Sequence, residues 1–330
     1  QFRAARRLVR SRGACAPRRP RPAWCNRIEA PRRRAVENRA TQPYYGDVAD
    51  RILLTADIVF QYVFGSEESR PILKEFLSVV QKDSGYPPIR EVEIANPFNL
   101  KSSPADKRSL VDVRAIDEEG KHYNVEIQSR THLGFSERTL YYWSQSYAGQ
   151  LEEGGEYAVL SPVIGVSVLD FVLFADVDRA HTCFELRERL LPQLLLTDDC
   201  VLHYLELPKA EDNMGNELSE WLFFLRHGDE ESEDMKTLLK NNEAIRRARE
   251  RYERFTADEE ARLAYQSRMR FLRDQASFEA AARREGREEG REEGREEALR
   301  ETARRLRSEG MSDEMVAKVT GLSPQELAEL

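Results

Sequence analysis

Asp112, Glu126 and Gln128 stand on two neighbouring stretches whose patterns read as a β-hairpin. The first is Leu110-Val-Asp-Val-Arg-Ala-Ile-Asp117 and the second is Lys121-His-Tyr-Asn-Val-Glu-Ile-Gln128, joined by Glu118-Glu119-Gly120. Side chains on a strand alternate between faces, so Glu126 and Gln128 share one face and Val125 and Ile127 the other. The turn decides which face Asp112 joins. A two-residue loop sets Asp112 opposite Val125 and splits the acids. A three-residue loop with Gly120 in the left-handed region sets Asp112 opposite Glu126, and this turn is the favoured one. Like charges so placed repel, at a cost of a few tenths to ~1 kcal/mol. A hard cation removes that cost. Mg²⁺ binds through one or two carboxylates with waters and phosphate, and the Ile127 carbonyl offers a further oxygen. Such a site suits phosphodiester chemistry, in which the ion activates water and stabilises the leaving oxygen. The plainer alternative is an acidic wet face on an ordinary amphipathic hairpin.

These residues resemble the PD-(D/E)XK pattern of an Asp followed by (Asp/Glu)-X-Lys on adjacent strands. The chain is more closely similar to the Rpn family of recombination-promoting nucleases. The matching stretches are Asp57-Ile-Val-Phe-Gln-Tyr-Val-Phe-Gly65, Lys107-Arg-Ser-Leu-Val-Asp-Val113 and Val125-Glu-Ile-Gln128, then Phe135-Ser-Glu-Arg-Thr-Leu-Tyr-Tyr142 and Gln150-Leu-Glu-Glu-Gly154. Tyr157-Ala-Val-Leu-Ser-Pro-Val163 and Leu169-Asp-Phe-Val-Leu-Phe174 follow. Their order and spacing are specific where each piece alone is weak.

The resemblance implies an α/β restriction-endonuclease-like core, a mixed central sheet flanked by helices, followed by a C-terminal helical region. It implies a metal-dependent DNA endonuclease linked to recombination or mobile DNA. Asp112 and Glu126 are then the metal ligands with Ile127, for Mg²⁺ or another divalent cation such as Mn²⁺ or Ca²⁺. Asp57 matches the acid of the family's opening motif and assists them. Val111 stands in place of the motif's Pro. Gln128 stands in place of its Lys, and an amide carries no charge and cannot act as a base. It can still orient water or offer its NH₂ to a phosphate, and the family shares this Gln.

DNA is the partner so implied. Arg138, Tyr142, Gln145 and Gly149 share a stripe of the helix expected over Phe135–Glu153. With Lys107, the first three are the candidate DNA contacts. Tyr141, Trp143, Tyr147 and Leu151 are expected in the core. The bulk charge opposes broad DNA affinity. The segment 1–40 carries thirteen Arg against Glu29 and Glu37, and without its net +11 the chain's −8 becomes about −19. An acidic body binds DNA poorly. Contact is therefore expected in a local groove, with Lys101, Lys107, Arg108, Arg114, Arg130 and Arg138 as its cations. Residues 1–46 are expected to be disordered, and read as a fragment or translated upstream stretch ahead of a nucleic-acid arm.

Four domains are expected: residues 1–46, a nuclease core over 47–210, a helical region over 211–284, and a tail over 285–330. Helices are expected over Ala49–Phe64 and Pro71–Gln81, and strands over Val163–Phe174, Cys183–Leu186 and Val201–Leu207. Val92-Glu-Ile is an edge or loop, and His203 a core histidine. Thr256-Ala-Asp-Glu259 reads as a capping box opening a helix to about Arg284. The tail repeats Arg-Glu-Glu-Gly with Gly286, Gly290 and Gly294 one turn apart. It is either a marginal helix or a small-residue stripe packed on another helix. The last twenty residues resemble a helix-turn-helix, but Pro-Gln-Glu-Leu-Ala-Glu-Leu is a poor DNA-reading helix, which favours protein contact.

Four cysteines without paired spacing suggest a cytoplasmic protein. No stretch is apolar enough to span a membrane, Val159–Phe174 being too short and interrupted by Pro162, Gly165 and Asp170. Two rivals to the nuclease remain. One is an inactive nuclease fold that binds DNA, and the other is an assembly protein, a homo-oligomer formed through the C-terminal helices.

Overall fold

The computed structural model describes residues 51–96, 112–130, 134–211 and 214–330. Six strands form one mixed sheet in the order β1-β2-β3-β4-β6-β5. They are β1 (Val92–Ile94), β2 (Val113–Asp117), β3 (His122–Gln128), β4 (Val163–Leu169), β5 (His181–Arg187) and β6 (Leu195–Glu206). The β1–β2, β2–β3 and β5–β6 pairs are antiparallel, while β3–β4 and β4–β6 are parallel. The restriction-endonuclease-like α/β class implied by the sequence is therefore the observed one. Val92-Glu-Ile is the edge strand of the two alternatives.

Helix α3 (Phe135–Ala148) makes the crossover from β3 to its parallel neighbour β4 and covers one face. There Phe135 packs with Leu169, Cys200, Leu202 and Tyr204. The other face carries α1 (Asp57–Phe64), α2 (Arg70–Asp83), α4 (Glu217–His227) and α6 (Glu243–Ala257). One core joins them to Val113, Val125, Ile127, Val166 and Leu205. The strict alternation of β4 and β6 residues between the two cores follows from the period of two. Because that core runs from Ile52 to Tyr265, the helices after residue 210 belong to the same packed body as the sheet.

Several boundaries differ from expectation. The first helix begins at Asp57, because residues 51–56 are not helical; residues 49 and 50 lie outside the described residues. Helix α3 ends at Ala148, where Gly149 takes the C-cap, five residues short of Glu153. Tyr141 is exposed rather than core, while Trp143 donates to the Val163 carbonyl (2.8 Å) and stacks on Tyr147. Strand β4 stops at Leu169. The next residues turn to present the Leu173 and Phe174 amides to the buried carboxylate of Glu206 (2.6 and 3.0 Å). His203 is fully buried as expected. It meets His181 (3.1 Å), which in turn meets Asp83 (2.6 Å). Burial pulls His203 down to about 3, so it is neutral and no proton carrier near pH 7.

The last long helix also departs from expectation. It is α7, running from Glu259 to Ser308, about 75 Å at 1.5 Å per residue. Its cap is Asp258, which accepts from the Ala261 amide (2.8 Å), whereas the Thr256 hydroxyl donates to the Glu253 carbonyl at the end of α6. The glycine repeat continues this helix, and among the described residues nothing stands within 4 Å of a Cβ built at Gly286, Gly290 or Gly294. The stripe is thus solvated. Two short helices, α8 (Asp313–Thr320) and α9 (Pro324–Ala328), fold back onto α7 through Ala303, Val316, Leu322 and Leu327. Ser323 and Glu326 form the expected capping box. Ser312 sits at the N-cap of α8 without a side-chain bond. No described helix is long and apolar enough to cross a membrane.

Candidate active site

The hairpin adopts the three-residue turn. Gly120 has φ +81°, its amide donates to the Asp117 carbonyl (3.0 Å), and Asp117 and Lys121 close the loop (3.1 Å). Val113 pairs with Val125 and Arg114 with Asn124, so the register carried one step further sets Asp112 across from Glu126. Asp112 itself precedes the ladder, and its side chain does not simply project from the sheet. One carboxylate oxygen accepts from the Ile127 amide (2.8 Å) and the other from the Gln61 side chain (2.7 Å). A strand amide lies in the plane of its sheet. The carboxylate therefore occupies the ladder position beside β3 and reaches α1 behind it. The amide and carbonyl of one strand residue point the same way, so the Ile127 carbonyl also faces this side, consistent with the direction of the Gln128 carbonyl towards Asp170 of the β4 end.

Glu126 projects towards α3, where Arg138 forms an ion pair with it. The same guanidinium donates to the Gln128 side-chain oxygen (2.9 Å) and lies over the Phe135 ring. Gln128 thus has its oxygen engaged and its NH₂ to offer. Asp57 opens α1, where a negative charge suits the helix dipole. Its carboxylate accepts from its neighbour Ile58 (2.7 Å) and pairs with Arg268 of α7 (2.9 and 2.5 Å).

Electrostatically the acids sit high. Burial pushes Asp112 up to about 7. The charge of Asp57 adds to this, the Ile127 amide and the Gln61 amide oppose it, and Glu126 adds a last increment. Burial also raises Glu126, and Arg138 pulls it back. Two desolvated carboxylates, each incompletely compensated, make a local demand for positive charge. The donor set is all oxygen: Asp112, Glu126 and the Ile127 carbonyl. It fits a hard divalent ion that completes its shell with water. Among the described residues no three His, Cys, Asp or Glu side chains converge on one point, so the fit rests on two acids and a carbonyl.

Tyr142 lines a small hollow together with Glu126, Asn124 and Thr139. A larger hollow of about 380 Å³ between the sheet and α3 is lined by Arg114, His122, Asn124, Tyr142, Gln145 and Ser146, and not by Asp112, Glu126, Gln128 or Arg138. Tyr142 thus adjoins the site, while Gln145 lies further along and donates to the Tyr141 hydroxyl (2.7 Å). Lys101, Lys107, Arg108 and Val111 lie outside the described residues. Arg130 donates to the Leu272 carbonyl of α7 (3.4 Å).

A family model of PD-(D/E)XK nuclease family transposases matches residues 54–282. The chain belongs to the PD-(D/E)XK nuclease family transposases. That match begins just before α1 and ends within α7, so the nuclease family's signature spans the sheet and the helices that close it. Family membership supports a nuclease- or transposase-like role, and nucleases of this kind generally use divalent metal ions. No match was found among curated proteins or among solved structures.

Two residues of this candidate site were not expected from the sequence. Gln61 falls within the family's opening motif, and its position four residues after Asp57 puts both on one helix face; that spacing was the available signal. Arg268 had none, since it reaches Asp57 from 211 residues away.

Proposed function

We propose that this chain is a metal-dependent DNA endonuclease that hydrolyses phosphodiester bonds in recombination or the movement of DNA. The observation that carries the reading is the anchoring of Asp112 to the Ile127 amide of β3, one register step from Glu126, with both acids raised by burial. Asp112, Glu126 and the Ile127 carbonyl would hold the ion, Mg²⁺ being the best match to two carboxylates and a carbonyl. When bound, such an ion lowers the pKa of water and polarises a phosphoryl oxygen.

The chain's own groups supply the rest. Gln61 fixes one Asp112 oxygen and so sets the carboxylate's direction. Gln128 offers its NH₂ to water or to a phosphate oxygen. It has no basic lone pair, so it orients the attacking water rather than deprotonating it. Asp57 lies beside Asp112 and is held in place by Arg268. Arg138 contacts the phosphate from its station between Glu126 and Gln128, and Tyr142, Gln145 and Lys107 extend that contact along the strand. Cytoplasmic DNA is the expected substrate.

Nicking of supercoiled plasmid tests this. The full chain is expected to nick in Mg²⁺ and not in EDTA, and Asp112→Ala and Glu126→Ala are each expected to lose on the order of 100-fold or more. Equal nicking by all three proteins sinks the assignment. One observation favours a second reading, a silent DNA binder: Arg138 and Arg268 each already hold an acid of the site. A gel shift in Ca²⁺ without nicking in Mg²⁺ selects it.

A further inference from the structure

Beyond the sheet's body, β5 and β6 continue as an arm whose tip runs Arg187-Glu-Arg-Leu-Leu-Pro-Gln-Leu-Leu-Leu-Thr197. Polar residues belong on such a tip. Instead Leu190 and Leu196 are 84% and 78% exposed, and Phe184, Leu186, Leu191 and Leu194 are exposed with them. Single exposed leucines need no explanation, but a contiguous set on one element marks an interaction surface. The tip is also a built structure. Glu188 and Leu194 close it backbone to backbone (2.9 Å), the Glu188 carboxylate accepts from the Leu190 amide (2.6 Å), and Arg187 donates to the Pro192 carbonyl (2.9 Å). These bonds hold the leucines out in a fixed arrangement.

We propose that this arm is the contact by which two copies of the chain form a dimer, arm packed against arm through the leucine face. The area fits. Six apolar side chains, each offering on the order of 100 Å², approach the roughly 800 Å² per partner of a standard interface once their polar rim is added. Charge fits as well. The arm carries Glu185, Arg187, Glu188 and Arg189 along one side and Asp198 and Asp199 along the other, with Arg187 paired to Glu185 (2.7 Å). An identical arm supplies both signs in return, whereas a partner of one sign meets repulsion somewhere along it. Register shifts at Glu185, Leu186 and Arg187 bend the outer edge of the sheet. Bends of this kind spoil an edge for open-ended strand addition, so the apolar face rather than the backbone edge is what associates, and a two-fold pairing closes.

Sedimentation equilibrium of the full chain over nanomolar to micromolar concentration tests the proposal. A dimer is expected. Leu190→Glu with Leu196→Glu is expected to weaken it at least 100-fold while leaving the thermal unfolding curve of the dissociated chain, taken at a concentration below the dimer's Kd, unchanged, since both side chains are exposed. Hydrogen exchange on the unaltered chain provides a reading free of substitutions, with protection of residues 184–197 rising with concentration. A chain monomeric at every concentration overturns the proposal. So does a dimer indifferent to these substitutions but broken by Met315→Glu with Val319→Glu, which assigns association to the tail. A monomer that floats with phosphatidylcholine vesicles overturns it too, handing the arm to a lipid surface. Plasmid nicking is scored separately, so the dimer and the nuclease reading can fail independently.

Discussion

Two carboxylates withdrawn from water in one sheet, Asp112 just ahead of β2 and Glu206 at the end of β6, have opposite fates. Glu206, at the end of β6, has no exposed side-chain surface. Lys209 pairs with it (2.7 Å), and the Leu173 and Phe174 amides donate to its other oxygen. Each of the two oxygens that burial strips of water has been given a donor. Among the described residues Asp112, by contrast, receives two neutral donors and no cation, with Asp57 and Glu126 nearby. Burial alone therefore does not mark a functional acid. What distinguishes the two is whether the fold completes the compensation or leaves positive charge to be supplied from outside.

The largest test of this contrast is Lys209→Met. Removing one partner of a buried pair leaves an uncompensated charge, and a loss of about 3–5 kcal/mol is expected by urea unfolding. A loss below 1 kcal/mol would mean that Glu206 is no better compensated than Asp112. Next in size is the response to a divalent cation. Mg²⁺ at 100 times its Kd should stabilise the chain by ~2.7 kcal/mol, an effect absent in Asp112→Asn and retained in Glu206→Gln if the latter folds. Equal stabilisation of the Asp112 variant would place the ion elsewhere.

The pH dependence is smaller but sharper. Asp112 is raised in the folded state, so its contribution to stability is fully present below the ordinary carboxylate range and is lost as pH rises through about 7. Asp112→Asn should therefore gain stability relative to the parent at pH 8, and the gain should shrink towards pH 4. A gain that grows as pH falls contradicts the assignment. Smallest is Arg268→Ala. Freed of its cation, Asp57 acts more strongly on Asp112, so the acidic limb of the nicking profile should move to higher pH by roughly half a unit. A fall in rate without that shift would make Arg268 a packing residue only.

The hairpin shows how far local rules reach. Alternation set Val113, Val125 and Ile127 towards the core, and Gly120 fixed the loop length, so the juxtaposition of Asp112 with Glu126 was legible before any contact was known. Local rules missed that the Asp112 carboxylate would turn into the ladder, because that depends on the Ile127 amide and on Gln61 from a helix 51 residues away. They likewise set the cap of α7 two residues early, since Thr256 and Asp258 are both good caps and only the end of α6 decides between them. The glycine repeat was open in sequence because its ion pairs return only a fraction of the ~1 kcal/mol that each glycine costs a helix, while a small-residue stripe could still pack on another helix. Continuation of α7 and the anchoring of α8 and α9 on its end resolve it as helix.

Sequence by itself determined the α/β class and the hairpin register that sets Asp112 across from Glu126, because these follow from the period of a strand and the conformational freedom of one glycine. Tertiary structure alone decided which charges compensate which. Arg138 came to Glu126 by the crossover helix, Lys209 came to Glu206 by the turn after β6, and Arg268 came to Asp57 from the far helix. Electrostatic compensation depends on distance in space and on the exclusion of water, and neither is encoded in the spacing of residues along a chain.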